Sequence, residues 1–375
     1  MSIQISNNFD SGNIEVIDAT NPVNIRLRIR HDAGGEFLQW FHFRVQGVRG
    51  QALRLVIENA GECSYAAGWN GYHCAASYDR AKWFRIGTTS YDGKAMTIEV
   101  APEYDSLWLA FFEPYSYERH QDCIGRWQCS PLARLENIGN TLQGRDLDVL
   151  HVGEGSRHVW IQARQHPGES MAEWFMEGFV ERLLEVSDPV ARELRHAATL
   201  HLIPNINPDG SVLGHLRTNA AGVNLNREWH APTLVRSPEV LHTQTAMKKT
   251  GACLFLDIHG DETLPYVFID GAHMVPGYGD RNLTLQAAFL TNLREASPDF
   301  QTLHGYSDDR FTGEMMTLAS KWAAAQFGCV SLTLEMPFKD NANAPDLQTG
   351  WNGARSKRLG EAFLLPVLQH LRALD

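Results

Sequence analysis

The hydrophobic pattern of this chain changes character between residues 115 and 147, and that change limits what the chain can fold into. Before it, short apolar runs alternate with polar residues and are separated by turn sequences such as AGG, VRGQ and YDGK, a pattern typical of an antiparallel β-sandwich. After it, apolar strands alternate with helical segments, which is typical of an α/β domain with a mixed, largely parallel sheet and flanking helices. We therefore expect two domains, at residues 1–115 and 116–375.

The same patterns predict individual elements in each half. In the first half they predict strands at residues 23–30, 37–47, 52–58, 95–101 and 106–113. In the second half they predict strands at residues 159–165, 199–206, 253–260 and 329–338, and helices at 169–186, 238–250, 312–327 and 354–373. The segment 114–146 has no clear period, and we expect it to join the two halves.

Composition narrows the classes of function. The 33 Lys and Arg residues are outnumbered by 44 Asp and Glu residues, which gives a formal charge of −11. This acidic balance argues against nucleic acid or an anionic membrane surface as a partner. The sequence shows no secretory signal and no apolar run near the ~18 residues of a membrane-spanning helix. None of the six cysteines forms a CxxC pair, so we expect reduced thiols and a cytoplasmic protein.

The strongest local signal is the sequence HPGES at residues 166–170, between a predicted strand and a predicted helix. Such turns at the carboxyl end of a strand are where α/β proteins build sites. Pro and Gly fold the loop back, so His166 and Glu169 can face one cation, and catalytic zinc commonly takes two His and one Glu. A simple helix start, with Glu169 near the positive end of the helix dipole, is the alternative.

Two further candidates stand near the ends of apolar strands. His259 ends the run LFLDIH and is followed by a glycine, so it is a candidate second histidine ligand. Asp257 or Asp261 is a candidate partner that orients its ring, and the sequence leaves that choice open. Glu335 follows the apolar run before it and is expected to be half-buried, which raises a carboxyl pKa toward the range that a general base needs. A histidine or a carboxylate that merely ends its strand is the alternative for each.

A Gly- and Asn-rich stretch between these motifs holds two arginines ten residues apart, Arg217 and Arg227. It includes the turn sequence NPDG at 207–210 and the sequence NLNRE at 224–228. Arginine binds a carboxylate through a bidentate fork, so the two can form a small cationic pocket. Surface ion pairs are the other interpretation in an acidic protein.

The motifs follow one another in the order HPGE, NPDG, Arg217, NLNRE, DIHG and Glu335. This ordered set resembles the zinc metallocarboxypeptidases and, within them, the cytosolic carboxypeptidase branch, which is related to protein deglutamylases. The resemblance covers about residues 115–375, and the amino-terminal β-sandwich is the arrangement that this branch carries ahead of its catalytic domain. It implies one zinc ion per chain, held by His166, Glu169 and His259. It also implies that Glu335 is the general base.

The resemblance assigns substrate contacts as well. Arg217 would stabilise the oxyanion of the tetrahedral intermediate, and Asn226 and Arg227 would hold the terminal carboxylate of the substrate. The family also uses a tyrosine over the substrate. Spacing does not choose among the candidates, Tyr266, Tyr278 and Tyr306, although Tyr306 is favoured because its HGYSDD segment looks flexible.

The side chain that sets the preferred substrate residue should lie on the helix before Glu335. Lys321 lies near that place and Arg310 is a second candidate; either would favour a C-terminal Glu or Asp, as in the deglutamylases. A solvated helix face is the alternative for Lys321.

Together these features predict a metallocarboxypeptidase that acts on the C-terminus of a peptide or protein. A related zinc amidohydrolase acting on N-acyl amino acids is the first alternative. The second is a non-catalytic binding module, because tryptophans in the first domain can line a binding face or fill its core. These tryptophans are Trp40, Trp69, Trp83 and Trp108.

Overall fold

The first part of the chain builds two five-stranded sheets. The structure is a computed structural model, and it describes residues 3–307, 310, 313 and 315–375. One sheet has the order β1-β4-β10-β6-β7 and the other β2-β3-β5-β9-β8. The strands are β1 Gln4–Ser6, β2 Glu15–Asp18, β3 Ile25–Arg28, β4 His42–Gln46, β5 Leu53–Ile57, β6 Cys74–Ser77, β7 Trp83–Ile86, β8 Thr89–Tyr91, β9 Met96–Val100 and β10 Ser106–Ala110.

Alternation places one face of these strands in the core. In β5, for example, Leu53, Leu55 and Ile57 are buried. All strand pairs described in the two sheets are antiparallel except β3 with β5, which run parallel. Trp40 and Trp69 are each 1% exposed, so these two tryptophans fill the core rather than line a binding face.

The second part contains a seven-stranded mixed sheet with the order β11-β12-β14-β13-β15-β17-β16. Its four central strands, β14, β13, β15 and β17, are parallel, and the outer pairs are antiparallel. The strands are β11 Ala133–Asn140, β12 Asp146–Val152, β13 Arg157–Ala163, β14 Ala198–Ile203, β15 Leu254–Asp261, β16 Phe268–Gly271 and β17 Val330–Pro337. The helices are α1 Tyr117–Gln128, α2 Met171–Leu183, α3 Pro189–Ala197, α4 Pro208–Leu213, α5 Pro238–Thr250, α6 Gly279–Ala296, α7 Ala319–Phe327 and α8 Gly353–Arg372.

The predicted fold class is confirmed, and the missed elements have identifiable causes. The segment 114–146 is more than a connection: it forms α1, β11 and β12. The edge strand β11 is exposed or half-buried throughout, so it has no period-two pattern. The helix predicted at 312–327 begins only at Ala319; a short 3₁₀ turn covers Met315–Thr317, and residues 312 and 314 lie outside the described residues.

The sheet brings the sequence motifs to one edge. β13, β15 and β17 are neighbours, so the ends of all three strands meet there. His259 on β15 lies directly opposite Glu335 on β17 in the ladder. The HPGES loop leaves the end of β13 at the same edge and leads into α2. The parallel pairing therefore concentrates chemistry that is dispersed along the sequence.

The first part of the fold packs directly on the second. The rings of Phe111 and Phe338 stack with centroids 4.3 Å apart. The Arg85 guanidinium donates to the carbonyl oxygens of Phe338 at 2.7 Å and Trp351 at 2.9 Å. The division into domains at residue 115 stays a prediction.

Candidate active site

A buried arginine fixes the loop that carries the first two candidate ligands. Arg164 has φ +61°, in the left-handed region that non-glycine residues rarely adopt. Its guanidinium donates to the carbonyl oxygens of Pro167 at 3.0 Å and Tyr115 at 2.8 Å, and to Glu173 Oε2 at 2.6 Å. These bonds tie the loop after β13 to α2 and offset the backbone strain.

His166, Glu169 and His259 converge on one point. His166 Nδ1 lies 2.6 Å from Glu169 Oε1, and His259 Nδ1 lies 2.7 Å from Glu169 Oε2. All three side chains are buried, and their donor atoms lie within 4.8 Å of one another. Two imidazole nitrogens and a carboxylate are donors that zinc prefers, so the three residues fit a zinc ion. In the described part of the chain no other group of His, Cys, Asp or Glu has this arrangement.

Burial and neighbouring charges set the protonation of this cluster. Burial lowers the pKa of His166 to about 3, and Arg217 acts in the same direction. Burial alone would also lower the pKa of His259, but the carboxylates of Asp257 and Glu169 raise it well above its usual value. The two histidines hold the pKa of Glu169 below its ordinary value against the effect of burial. The carboxylate that both histidines share is therefore ionised.

The far nitrogen of each imidazole is held by a second residue. His259 Nε2 lies 3.0 Å from Asp257 Oδ2, and His166 Nε2 lies 3.1 Å from Asn224 Oδ1. Of the two candidates that the sequence left open, Asp257 therefore contacts His259. Asp261 instead accepts a hydrogen bond from the Tyr306 hydroxyl at 2.7 Å.

Glu335 is buried beside the cluster. The Tyr306 hydroxyl lies 3.1 Å from its Oε1, while its Oε2 has no hydrogen-bond partner among the described residues. Burial raises its pKa well above the ordinary value. Glu335 is thus a carboxyl group with one oxygen available to a ligand. Among the three candidate tyrosines, Tyr306 is the one that lines the cavity with Glu335.

Arg217 faces the cluster from a loop that the first part of the chain holds in place. Its guanidinium lies over the rings of Phe37 and Tyr65, with Cζ 5.7 and 5.3 Å from the ring centroids. The buried Asp32 accepts from the backbone N–H groups of Leu216, Arg217 and Thr218 at 2.6, 2.8 and 2.9 Å. The position of Arg217 therefore depends on residues far away in the sequence.

Asn226 and Arg227 line the same cavity as Arg217. The Asn226 side-chain oxygen accepts from the backbone N–H of Ala319 at 2.9 Å, at the start of α7. The Arg227 guanidinium donates to the carbonyl oxygen of Asn226 at 2.7 Å. The cavity has a volume of about 470 Å³. It brings together His166 and Glu169 of the cluster, the base candidate Glu335, and the substrate candidates Arg217, Asn226 and Arg227.

Lys321, a further substrate candidate, does not line the cavity. It is 5% exposed, and its ammonium donates to Asp270 Oδ2 at 2.7 Å and to the carbonyl oxygen of Gly271. Its charge is therefore compensated within the protein, and Asp270, not Lys321, lines the cavity. Arg310 lines the cavity, with its Cζ 3.7 Å from the ring centroid of Tyr306.

Comparisons with known proteins agree with this geometry. A family profile described as "Zinc carboxypeptidase" matches residues 126–366, and one described as "Cytosolic carboxypeptidase N-terminal domain" matches residues 5–112. The chain belongs to the zinc carboxypeptidase family. It is thus a metallocarboxypeptidase, a hydrolase that requires zinc, and one Zn²⁺ is expected per chain. Family membership excludes the purely binding module considered above.

Solved structures of metallocarboxypeptidases superpose on nearly the whole chain. The crystal structure of a metallocarboxypeptidase from Burkholderia cenocepacia is 51% identical, with a TM-score of 0.97 over 99% of this chain and 100% of that one. A metallocarboxypeptidase from Pseudomonas aeruginosa, solved with (2-guanidinoethylmercapto)succinic acid, is 43% identical, with a TM-score of 0.96 over 99% of this chain and 100% of that one.

Curated cytosolic carboxypeptidases are more distant and longer. Cytosolic carboxypeptidase 2 of Danio rerio is 29% identical over 72% of this chain, which spans 43% of that protein. The chain thus spans less than half of that relative. No helix in the described ranges is long and apolar enough to cross a membrane; cytoplasmic location stays a prediction.

The residues that line the cavity of this zinc carboxypeptidase and escaped the sequence analysis include Tyr65, Glu262 and Asp270. Tyr65 lies in the first part of the chain, where no spacing relates it to the later motifs. Glu262 follows β15 within the sequence HGDE, where three acidic residues stand within six positions, 257–262. The proximity of Glu262 to His259 was the one available signal.

Proposed function

We propose that this enzyme removes the C-terminal residue of a peptide or protein, with zinc held by His166, Glu169 and His259. The observation that carries the proposal is the convergence of both histidine Nδ1 atoms on the two oxygens of Glu169, 2.6 and 2.7 Å away. When bound there, zinc would supply Lewis-acid chemistry that polarises the scissile carbonyl and lowers the pKa of a water molecule to about 7.

Glu335 is the general base of the proposed reaction. Its Oε2 has no partner among the described residues, so that atom can accept a proton from the attacking water. The same carboxyl then delivers the proton to the departing amine. A hydroxyl carries a single proton, so the Tyr306 group between Asp261 and Glu335 donates to one of them at a time. This arrangement lets Glu335 change its protonation state without losing its contact with Tyr306.

The arginines restrict the reaction to the end of a chain. Arg217 would donate to the oxygen on which negative charge develops, and a charged donor in such a place contributes about 3–4 kcal/mol. Arg227, with Asn226, would bind the free carboxylate of the substrate. An internal peptide bond has no such carboxylate, so cleavage is limited to the last bond.

We further propose a preference for a C-terminal Glu or Asp, favoured by Arg310. The pairing of Lys321 with Asp270 removes Lys321 as the source of that preference. The opposite preference, for a basic residue, has one observation in its favour: the ligand of the Pseudomonas relative contains a guanidino group.

The direct test is release of the last residue from a peptide by the zinc-loaded enzyme, followed by mass spectrometry. We expect cleavage of a peptide with a free C-terminal carboxylate and none of the same peptide as an amide. The substitution Glu335→Gln should lower kcat by about 10²- to 10⁴-fold, whereas Glu361→Gln on α8 should leave it unchanged.

Two outcomes would contradict the proposal. Cleavage of the amide as fast as the free acid would remove the assigned role of Arg227. Turnover of an N-acyl aspartate without cleavage of any peptide would favour the amidohydrolase instead. Peptides that end in Glu, Ala and Arg, compared in the same assay, decide the preference for the last residue.

A further inference from the structure

Glu262 is a buried carboxylate of the cavity to which the proposed mechanism gives no role. It is 5% exposed, and its Oε1 is buried without a hydrogen-bond partner among the described residues. An unsatisfied buried acceptor destabilises the folded protein. Such an atom in a substrate cavity points to a ligand that satisfies it.

Glu262 belongs to the side of the cavity formed against the first part of the chain. A Cβ at Gly68 would collide with the carbonyl oxygen of Glu262, so the 3₁₀ turn at Ala66–Trp69 packs closely against this residue. Tyr65, just before that turn, lies under Arg217. We call Tyr65, Arg217 and Glu262 the amino-terminal wall.

The direction of the substrate follows from the proposed function, on which this inference rests. The terminal carboxylate lies at Asn226 and Arg227, beside the start of α7. The scissile carbonyl lies between the metal cluster and Arg217. The residues that precede the scissile bond must therefore run toward the amino-terminal wall.

Among the cavity carboxylates, Glu262 is the one left for this part of the substrate. Glu169 contacts both histidines, Asp270 pairs with Lys321, and Asp261 accepts from Tyr306. Glu335 is assigned to proton transfer. Burial raises the pKa of Glu262 to about 8, whereas Arg217 acts to lower it. A cationic ligand would favour its ionised form further.

We propose that Glu262 binds a positively charged group, an ammonium or a guanidinium, on the part of the peptide before the scissile bond. The group can be the free α-amine of a short peptide or the side chain of a Lys or Arg in a longer one. Glu262 then selects the substrate on the upstream side, independently of the preference for the last residue.

The test compares peptides that share one C-terminal residue, with wild-type enzyme and Glu262→Gln, both loaded with zinc. The peptides are a short peptide with a free amine, its N-acetylated form, and N-acetylated peptides with Lys or Ala before the last residue. We expect wild type to favour a cationic peptide over its neutral counterpart by about tenfold or more in kcat/KM, mainly through KM. Which of the two cationic peptides is favoured identifies the source of the charge.

In Glu262→Gln the ratio of kcat/KM for the cationic peptide to kcat/KM for its neutral counterpart should fall to about one. Because each ratio is taken within one protein preparation, it does not depend on the folded fraction. Glu228→Gln, which removes a carboxylate paired with Arg236 outside the cavity, should keep the wild-type ratio. Equal cleavage of cationic and neutral peptides by wild type, or an unchanged ratio in Glu262→Gln, would overturn the inference. Failure of wild type to cleave any peptide would overturn the proposed function as well.

Discussion

At the scale of single residues, the site depends on which nitrogen of each imidazole faces Glu169 and the expected zinc ion. His166 and His259 both turn Nδ1 toward Glu169, and their Nε2 atoms are held by Asn224 and Asp257. The side-chain amides of Gln165 and Gln162 donate to Asp257 at 2.6 and 3.0 Å. Asp257 therefore accepts hydrogen bonds from both glutamines while it contacts His259 and orients its ring.

Asp257→Asn should weaken zinc binding. The substitution removes the charge and places an amide against the amides of Gln162 and Gln165, so the ring of His259 loses its orientation. We expect the zinc dissociation constant to rise by about 10- to 100-fold, measured by competition with a chelator. Asp148→Asn, another buried carboxylate of the sheet, is the control and should bind zinc like wild type. Equal affinities in Asp257→Asn and wild type would contradict this role.

The positions of the candidate site residues could be predicted because each lies near the carboxyl end of a recognisable strand or in the loop just after it. His166, Glu169, His259 and Glu335 all lie together at the edge where those strands meet. Lys321 illustrates the limit of prediction from sequence. Its position near the cavity was predictable, but its ion pair with Asp270 on a distant strand was not.

At the scale of elements, α2 is packed tightly against α8. A Cβ at Gly178 would collide with the carbonyl oxygen of Lys357, and one at Gly360 with that of Phe175. The two backbones approach closely because both helices carry a glycine at the contact. Since α2 begins just after Glu169, this contact also fixes the end of the HPGES loop.

Gly360→Ala should destabilise the fold. The added methyl group has no space between the helices, and overpacking of this kind costs about 1–3 kcal/mol. Gly125→Ala in α1 is the matched control, because a Cβ there meets nothing within 4 Å; it should stabilise the protein by up to about 1 kcal/mol. Urea denaturation measures both. If Gly360→Ala is as stable as Gly125→Ala, the close packing of α2 and α8 is contradicted.

Helix α5 was predicted and α6 was not, and the difference lies in the signals at their ends rather than in their apolar periods. The predicted helix at 238–250 matches α5, Pro238–Thr250. In contrast, α6 was missed although Leu285, Phe289 and Leu293 are buried at helical spacing. Pro238 opens α5 and Gly251 follows it, which are standard start and stop signals, whereas Gly277 and Gly279 stand at the start of α6.

At the scale of the whole molecule, the first part of the chain completes the active site. Asp32 holds the loop of Arg217, and Tyr65 lines the cavity. Sequence patterns indicate contacts within one element. The contacts of Asp32 and Tyr65 with the Arg217 loop instead join residues more than 150 positions apart. For that reason the two-part architecture was predictable, whereas the participation of the first part in the site was not.

The central claim is that His166, Glu169 and His259 hold the zinc ion on which the proposed reaction depends. The most direct measurement is anomalous X-ray scattering at the zinc absorption edge, from crystals of the zinc-loaded enzyme and of Glu169→Ala. We predict one peak in the wild-type enzyme, at about 2.0–2.2 Å from both Nδ1 atoms and from a Glu169 oxygen, and its loss in Glu169→Ala. A zinc peak at other residues, or no peak in the zinc-loaded wild type, would contradict the account.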